Sequence, residues 1–291
     1  MSIALHDGLL QIYDVDHGQC ALLTIPNGIG GAYRVLIDCG HATNFQGGPW
    51  HPGRHLQSLG ADYIDMLVCT NYDEDHMSGF PDLLRRGITI GCILGNPSVS
   101  GGTIVKLKTE DGQNNLGSGI EAIAGVLTAR RQIEWQQVPP KIPGVSMIWT
   151  WNPYPRFDDE NNLSLVFTIE VHGHRFMFPG DMECNGFRHL LDTCPAFRPV
   201  VAGVNVLIAA HHGRRNGICP EMFTVYGCRP TLVVISDDYK RHATQETTNY
   251  YGSKAGGIYG FRGDAGLRKV LTTRDDGPLN FSFQGRKCIV F

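Results

Sequence analysis

The chain has 291 residues, of which 42% are hydrophobic and 18% charged, with a formal net charge of −3. That supplies apolar material for a sizeable core and excludes a surface that is basic throughout, although a local cationic rim stays open. Met1–Val15 has no basic n-region, and no apolar run approaches the ~18 residues that span a bilayer, so a soluble, cytoplasmic protein is expected.

Strands are predicted at Leu9–Val15, Ala21–Ile25 and Tyr33–Ile37, separated by turns rich in Asp, Gly and Asn. A Gly- and His-rich loop from Cys39 to Gly53 leads into a short helix near Arg54–Leu59. The apolar strand Ile64–Cys69 follows, then an acidic turn, a helix around Gly79–Arg86 and a strand at Ile88–Leu94. Residues 95–118, rich in Gly, Ser and Asn, read as a long loop before a helix near Ile120–Trp135. The second half repeats the strand style at Ser146–Thr150, Leu163–Val171, Arg175–Phe178, Val204–Ala209 and Leu232–Ser236, with helices near Cys184–Asp192 and Pro220–Tyr226. Strands at Lys269–Thr273, Leu279–Phe283 and Lys287–Phe291 close the chain. With no repeat, linker or boundary evident, one layered α/β domain over residues 1–291 is expected. The nine cysteines, odd in number and without a C-x-x-C pair, read as buried thiols of a reducing compartment.

The chemistry-bearing residues fall at strand ends. Asp73, Asp75 and His76 lie on the turn after Ile64–Cys69, where oxygen and imidazole ligands are pre-positioned for a divalent ion. Asp38 ends the third strand, Asp181 follows a hairpin through Gly180, His211 and His212 follow a wholly apolar strand, and Asn161 and Asn162 open another. Five such sites in this order point to a shared metal centre.

The order D-C-G, x-x-D-x-D-H, N-N-x-S-L, G-D, H-H-G resembles the metallo-β-lactamase fold, and within it the soluble hydrolase domain of ComEC-type DNA-uptake channels. Asp14–Gln19 matches that branch's opening hairpin, Asn161–Val166 its N-N-x-S-L-V motif and Thr273–Gly277 its closing strand pair. The resemblance covers essentially the whole chain. It implies a four-layer αβ/βα sandwich, two mixed sheets packed face to face with helices outside. It also implies Asp73, Asp75 and His76 as ligands, Asp181 as the carboxylate bridging two ions, and His211 as a ligand, with the roles of His211 and His212 open to exchange. Asp38 would hold the ligand loop by hydrogen bonds. Asn162 stands where many relatives carry a third-motif histidine, and Asn71 where the metal turn usually begins with histidine. An amide oxygen is a poorer zinc ligand than imidazole. The sequence therefore leaves three outcomes: a hard ion such as Mn²⁺ or Mg²⁺ beside Zn²⁺, a single tightly held ion, or a catalytically impaired binding module.

An active site of this kind performs metal-assisted hydrolysis, with Asp75 orienting the attacking water and His212 free to donate a proton if His211 is the ligand. Arg214 and Arg215 after the histidine pair, and Lys240, Arg241 and His242 beyond Leu232–Ser236, form a candidate cationic rim for phosphate. His17 and His41 lie on loops at the expected mouth. A nucleic-acid or nucleotide substrate is the leading expectation, ahead of a thioester, lactone or amide; a protein partner stays open and no membrane contact is expected.

Overall fold

The computed structural model describes residues 7–45, 47–110, 116–132, 138–238 and 246–291. In chain order the first half supplies β1 (Gly8–Ile12), β2 (Ala21–Pro26), β3 (Ala32–Ile37), a small hairpin of β4 (Ala42–Phe45) and β5 (Gly48–Trp50), and α1 (Pro52–Ser58). It continues with β6 (Tyr63–Val68), α2 (Glu74–Met77), α3 (Phe80–Arg85), β7 (Thr89–Leu94), α4 (Gly101–Thr109) and α5 (Ser118–Gln132). The second half supplies β8 (Val145–Trp151), β9 (Leu165–Val171), β10 (His174–Phe178), α6 (Cys184–Thr193), α7 (Phe197–Ala202), β11 (Val206–Ile208) and α8 (Pro220–Thr224). After these come β12 (Leu232–Ile235), α9 (Thr248–Gly252), β13 (Val270–Thr272), α10 (Thr273–Asp276), β14 (Leu279–Gln284) and β15 (Lys287–Val290).

One sheet runs β15-β14-β1-β2-β3-β6-β7 and the other β13-β12-β11-β10-β9-β8. Strand periodicity explains how they stack. Met66 and Val68 of β6 face an interior shared with Phe167, Phe176, Phe178 and Val234 of the second sheet, while Leu67 between them faces α1, α3 and α5. On the far side of the second sheet, Met177, Leu207 and Val233 pack against Phe187, Leu190, Val201 and Tyr251 from α6, α7 and α9. Helix, sheet, sheet, helix is the αβ/βα sandwich. Each fully buried phenylalanine between the sheets contributes about 1.5–3 kcal/mol.

Each sheet is antiparallel on one side and parallel on the other: β3, β6 and β7 run parallel, as do β10, β11, β12 and β13. Parallel strands are covered on both faces, which is why Ile64–Cys69 and Leu232–Ser236 read as continuous apolar runs. Their carboxyl ends gather on one edge, the place where open α/β sheets bind ligands.

Two differences from the sequence reading matter for that edge. The stretch 95–118 is not all loop, because α4 occupies Gly101–Thr109, with the Ser100 side chain accepting from Thr103 N at 3.1 Å. Glycine disfavours helix by about 1 kcal/mol, yet a Cβ on Gly101 would lie 2.2 Å from the Ala124 carbonyl of α5. The residue that disguises the helix is the one that lets the two helices touch. The hairpin β4–β5 and helices α7 and α9 were likewise not foreseen, and Thr273 opens α10 rather than ending a strand. Lys240, Arg241 and His242 lie outside the described residues.

Candidate metal centre

Five parallel strands deliver the site. β3 ends into Asp38, β6 into the turn Thr70–His76, β10 into Asp181, β11 into His211 and His212, and β12 into Ser236. The metal turn is fastened from both sides. The Glu74 carboxylate accepts from Gly119 N and Ile120 N at 3.1 Å, at the N-terminus of the 15-residue α5, where the helix dipole favours an anion. Behind the turn, a Cβ on either Gly18 or Gly40 would lie 2.4 Å from the Asp75 carbonyl oxygen, so both loops close on that peptide.

Asp75, His76, Asp181 and His212 each place one ligand atom within 4.8 Å of the others. His76 Nε2 is 3.1 Å from Asp181 Oδ1, and His212 Nε2 is 3.1 Å from Asp75 Oδ2 and 3.5 Å from Asp181 Oδ1. Both rings are held from behind. His76 Nδ1 donates to Asp38 Oδ2 at 2.9 Å, and His212 Nδ1 donates to the Ser236 carbonyl at 2.9 Å. With Nδ1 fixed as a donor in each, Nε2 is the nitrogen turned to the carboxylates, and exchanging its proton for a metal leaves the tautomer a metal requires. His212 Nε2 is buried and aimed at the Asp75 and Asp181 carboxylates together, an arrangement that fits a cation between them.

Charge agrees with geometry. Burial opposes the charged imidazolium of His76, yet Asp181 and Asp38 overcome it and hold the ring well above its usual pKa; His212 is raised in the same way by Asp181 and Asp75. Burial would also raise Asp181 and Asp75, but the imidazoles hold both below the usual carboxylate range. A pocket whose field draws protons onto two imidazoles draws a divalent cation for the same reason.

Asp38 is wholly buried and accepts from Thr70 N at 2.7 Å and Thr70 Oγ1 at 2.5 Å as well as from His76. Ser164 Oγ accepts from Asp181 N at 3.1 Å and so sets that carboxylate. Ser164 falls within the N-N-x-S-L motif without a role having been read for it, and Thr70 escaped the sequence reading because a hydroxyl in a strand-end turn carries no distinguishing pattern.

The other expected residues are placed elsewhere. His211 lies outside the cluster: its Nε2 accepts from Arg214 Nη1 at 2.9 Å, and its Nδ1 stands 3.7 Å from Glu183 Oε1. Burial, with Arg214 and His212, lowers its pKa. Both histidines have φ +52, a left-handed turn that aims successive rings in different directions. Arg214 Nη2 donates to His17 Nε2 at 3.0 Å, and the His17 ring lies 4.8 Å from that of His212, so His17 and Arg214 frame the mouth. Arg215 beside them is exposed. His41 stacks on His51, ring centroids 4.8 Å apart.

Asn71 is buried, but its Oδ1 accepts from Tyr72 N at 2.5 Å and Asp73 N at 3.1 Å. The Asn162 Oδ1 accepts from Gly186 N and its Nδ2 donates to Asp159, both at 2.9 Å. Asp73 is paired with Lys108. All three side chains are thus engaged by protein partners.

The nine cysteines are all unpaired. Cys184, Cys219 and Glu221 come together on the outer side of the second sheet, but burial pushes the Cys219 thiol up to about 12, and its Sγ donates to Glu221 at 3.4 Å. That thiol is a hydrogen-bond donor rather than a ready thiolate.

Residues 13–215 match the family model of the Metallo-beta-lactamase superfamily, and the chain belongs to that superfamily. Over 243 residues it is 23% identical to ComE operon protein 3 of Bacillus subtilis (strain 168), a match that covers 79% of this chain and 28% of that protein. The chain thus spans less than a third of that relative's length. A solved structure titled as a new diphosphatase from the PhnP family superposes with a TM-score of 0.48 at 11% identity, covering 95% of this chain and 98% of that one. Among the described residues, no helix is long and apolar enough to cross a membrane.

Proposed function

We propose that this superfamily hydrolase is a metal-dependent phosphodiesterase, acting on a nucleic acid or a nucleotide, with one divalent ion held by Asp75, His76, Asp181 and His212. The observation that carries the reading is the convergence of those four ligand atoms within 4.8 Å, two of them imidazole nitrogens whose tautomers are set by Asp38 and Ser236. Two imidazoles and two carboxylates suit Zn²⁺ and Mn²⁺, with Mg²⁺ a harder and poorer match.

Such an ion supplies Lewis acidity and lowers the pKa of water. The chain's own residues do the rest. Asp75 is the most exposed member of the four, so it orients the attacking water. Arg214 spends two of its five N–H donors on His211 and His17, and those remaining bind phosphate oxygens at the mouth. His211, neutral and turned toward Arg214 and Glu183, holds that guanidinium in place. The sequence's likeness to DNA-uptake hydrolases supports the nucleic-acid side of the proposal, and the cationic Arg214–Arg215 pair supports a phosphodiester over a thioester, lactone or amide.

The test is hydrolysis of bis-p-nitrophenyl phosphate and of DNA in Mn²⁺, beside chromogenic carboxylic esters. Phosphodiester cleavage that Asp181→Ala abolishes is expected. Equal cleavage by Asp181→Ala, or a preference for the carboxylic esters, overturns it.

A further inference from the structure

A lysine is buried beside the metal turn. Lys108 lies on α4 with only 7% of its surface exposed. Its ammonium contacts the Asp73 carboxylate and lies 2.6 Å from Glu160 Oε2. Lysine is almost never buried without partners, and here both partners are carboxylates. Burial works against its charge, but Asp73 and Glu160 hold its pKa above the usual value.

The residues around it are arranged for an internal cation. Asn71, Tyr72, Asp73, Lys108 and Glu160 border one small cavity of about 20 Å3, closed on its other side by Val99, Ile104, Leu107 and Leu163. Asn71 turns its carbonyl oxygen back onto the backbone N–H groups of Tyr72 and Asp73, while its buried Nδ2 has no hydrogen-bond partner. That leaves an N–H donor, which repels a cation, as the side chain's only unused group. Glu160, from the loop before β9, has no counterpart in the four-ligand centre and serves Lys108 instead.

We infer that the Lys108 ammonium, held between Asp73 and Glu160, takes the place of a second metal ion and confines the centre to the single ion of Asp75, His76, Asp181 and His212. Lys108 is thus a positioning residue: its fixed charge neutralises Asp73, which would otherwise compete with Asp75 and Asp181 for the ion, and its bulk fills the space a second ion needs. The inference rests on the metal-centre reading above but not on the identity of the substrate.

The test counts metal in protein loaded with Mn²⁺ and desalted, and reads the spin state of the bound ions. Wild type is expected to retain about one ion per chain, with the EPR signal of isolated Mn²⁺. Lys108→Ala frees Asp73 and Glu160, and combined with Asn71→His it is expected to hold about two ions, with the signal of an exchange-coupled pair. Asn71→His alone, with the lysine in place, is expected to stay at one. Two ions in wild type or in Asn71→His, or one ion in the double variant, overturns the inference. If Lys108→Ala does not fold, the wild-type and Asn71→His counts decide the matter alone. No ion in wild type overturns the metal-centre reading itself, which separates the two failures.

Discussion

Asp38→Asn probes the centre without touching a ligand. The carboxylate accepts three hydrogen bonds, from Thr70 N on Oδ1 and from Thr70 Oγ1 and His76 Nδ1 on Oδ2. An asparagine must replace one oxygen with an NH₂ group. Against Thr70 N that group would set donor against donor, whereas the Thr70 hydroxyl can rotate and accept, so the amide nitrogen takes the Oδ2 position. There it presents N–H to His76 Nδ1, and the imidazole satisfies it only by moving its own proton to Nε2, the atom 3.1 Å from Asp181. The ligand lone pair is lost. Losing such an orienting carboxylate lowers metal affinity about 10–100-fold, or about 1.4–2.7 kcal/mol. Competition against a fluorescent chelator measures the affinity, and nitrogen-resolved NMR of the imidazoles reads the tautomer. Affinity within about twofold of wild type, or a His76 ring still protonated at Nδ1, would refute the reasoning.

Gly40→Ala sets a Cβ 2.4 Å from the Asp75 carbonyl and 3.0 Å from that of Gln19, both backbone. Thermal unfolding should show a loss of about 1–3 kcal/mol together with weaker metal binding, while Gly125→Ala, with open space on exposed α5, should be neutral or mildly stabilising. His17 is lowered from 6.5 to about 4, chiefly by burial and then by His212 and Arg214. The unfolded chain therefore binds this proton before the folded one does, so the contribution is present above pH 6.5 and is lost as pH falls toward 4. Allowing for partial exposure, it amounts to about 2 kcal/mol. Urea titrations in chelator at pH 7 and pH 4.5 should show that His17→Gln loses less stability on acidification than wild type, and parallel losses would contradict the assignment.

How much of this was legible in the sequence depended on where each residue sits. Asp38, Asp75, His76 and Asp181 follow long apolar runs, and a buried parallel strand ends in a predictable place, so their convergence could be read from the order of strand ends. The choice between His211 and His212 could not be read. Both follow the same strand, and the left-handed backbone that separates their rings leaves no trace in residue type. Lys108 was hidden for a different reason. Glycines at 101 and 102 argue for a loop by propensity, and only the contact of Gly101 with Ala124 shows why they belong in a helix. Asn71 was visible as a departure from the family's histidine, but its consequence was not, because the compensating cation comes from a helix 37 positions downstream whose docking depends on tertiary contacts.

The central claim is tested most directly by diffraction from crystals grown with Mn²⁺, recorded at wavelengths that reveal the ion by its anomalous scattering. The account predicts one peak, contacted by His76 Nε2, His212 Nε2 and the carboxylates of Asp75 and Asp181, with Lys108 still on Asp73. A peak bound by Asp73 and Asn71, or by His211 in place of His212, would contradict it.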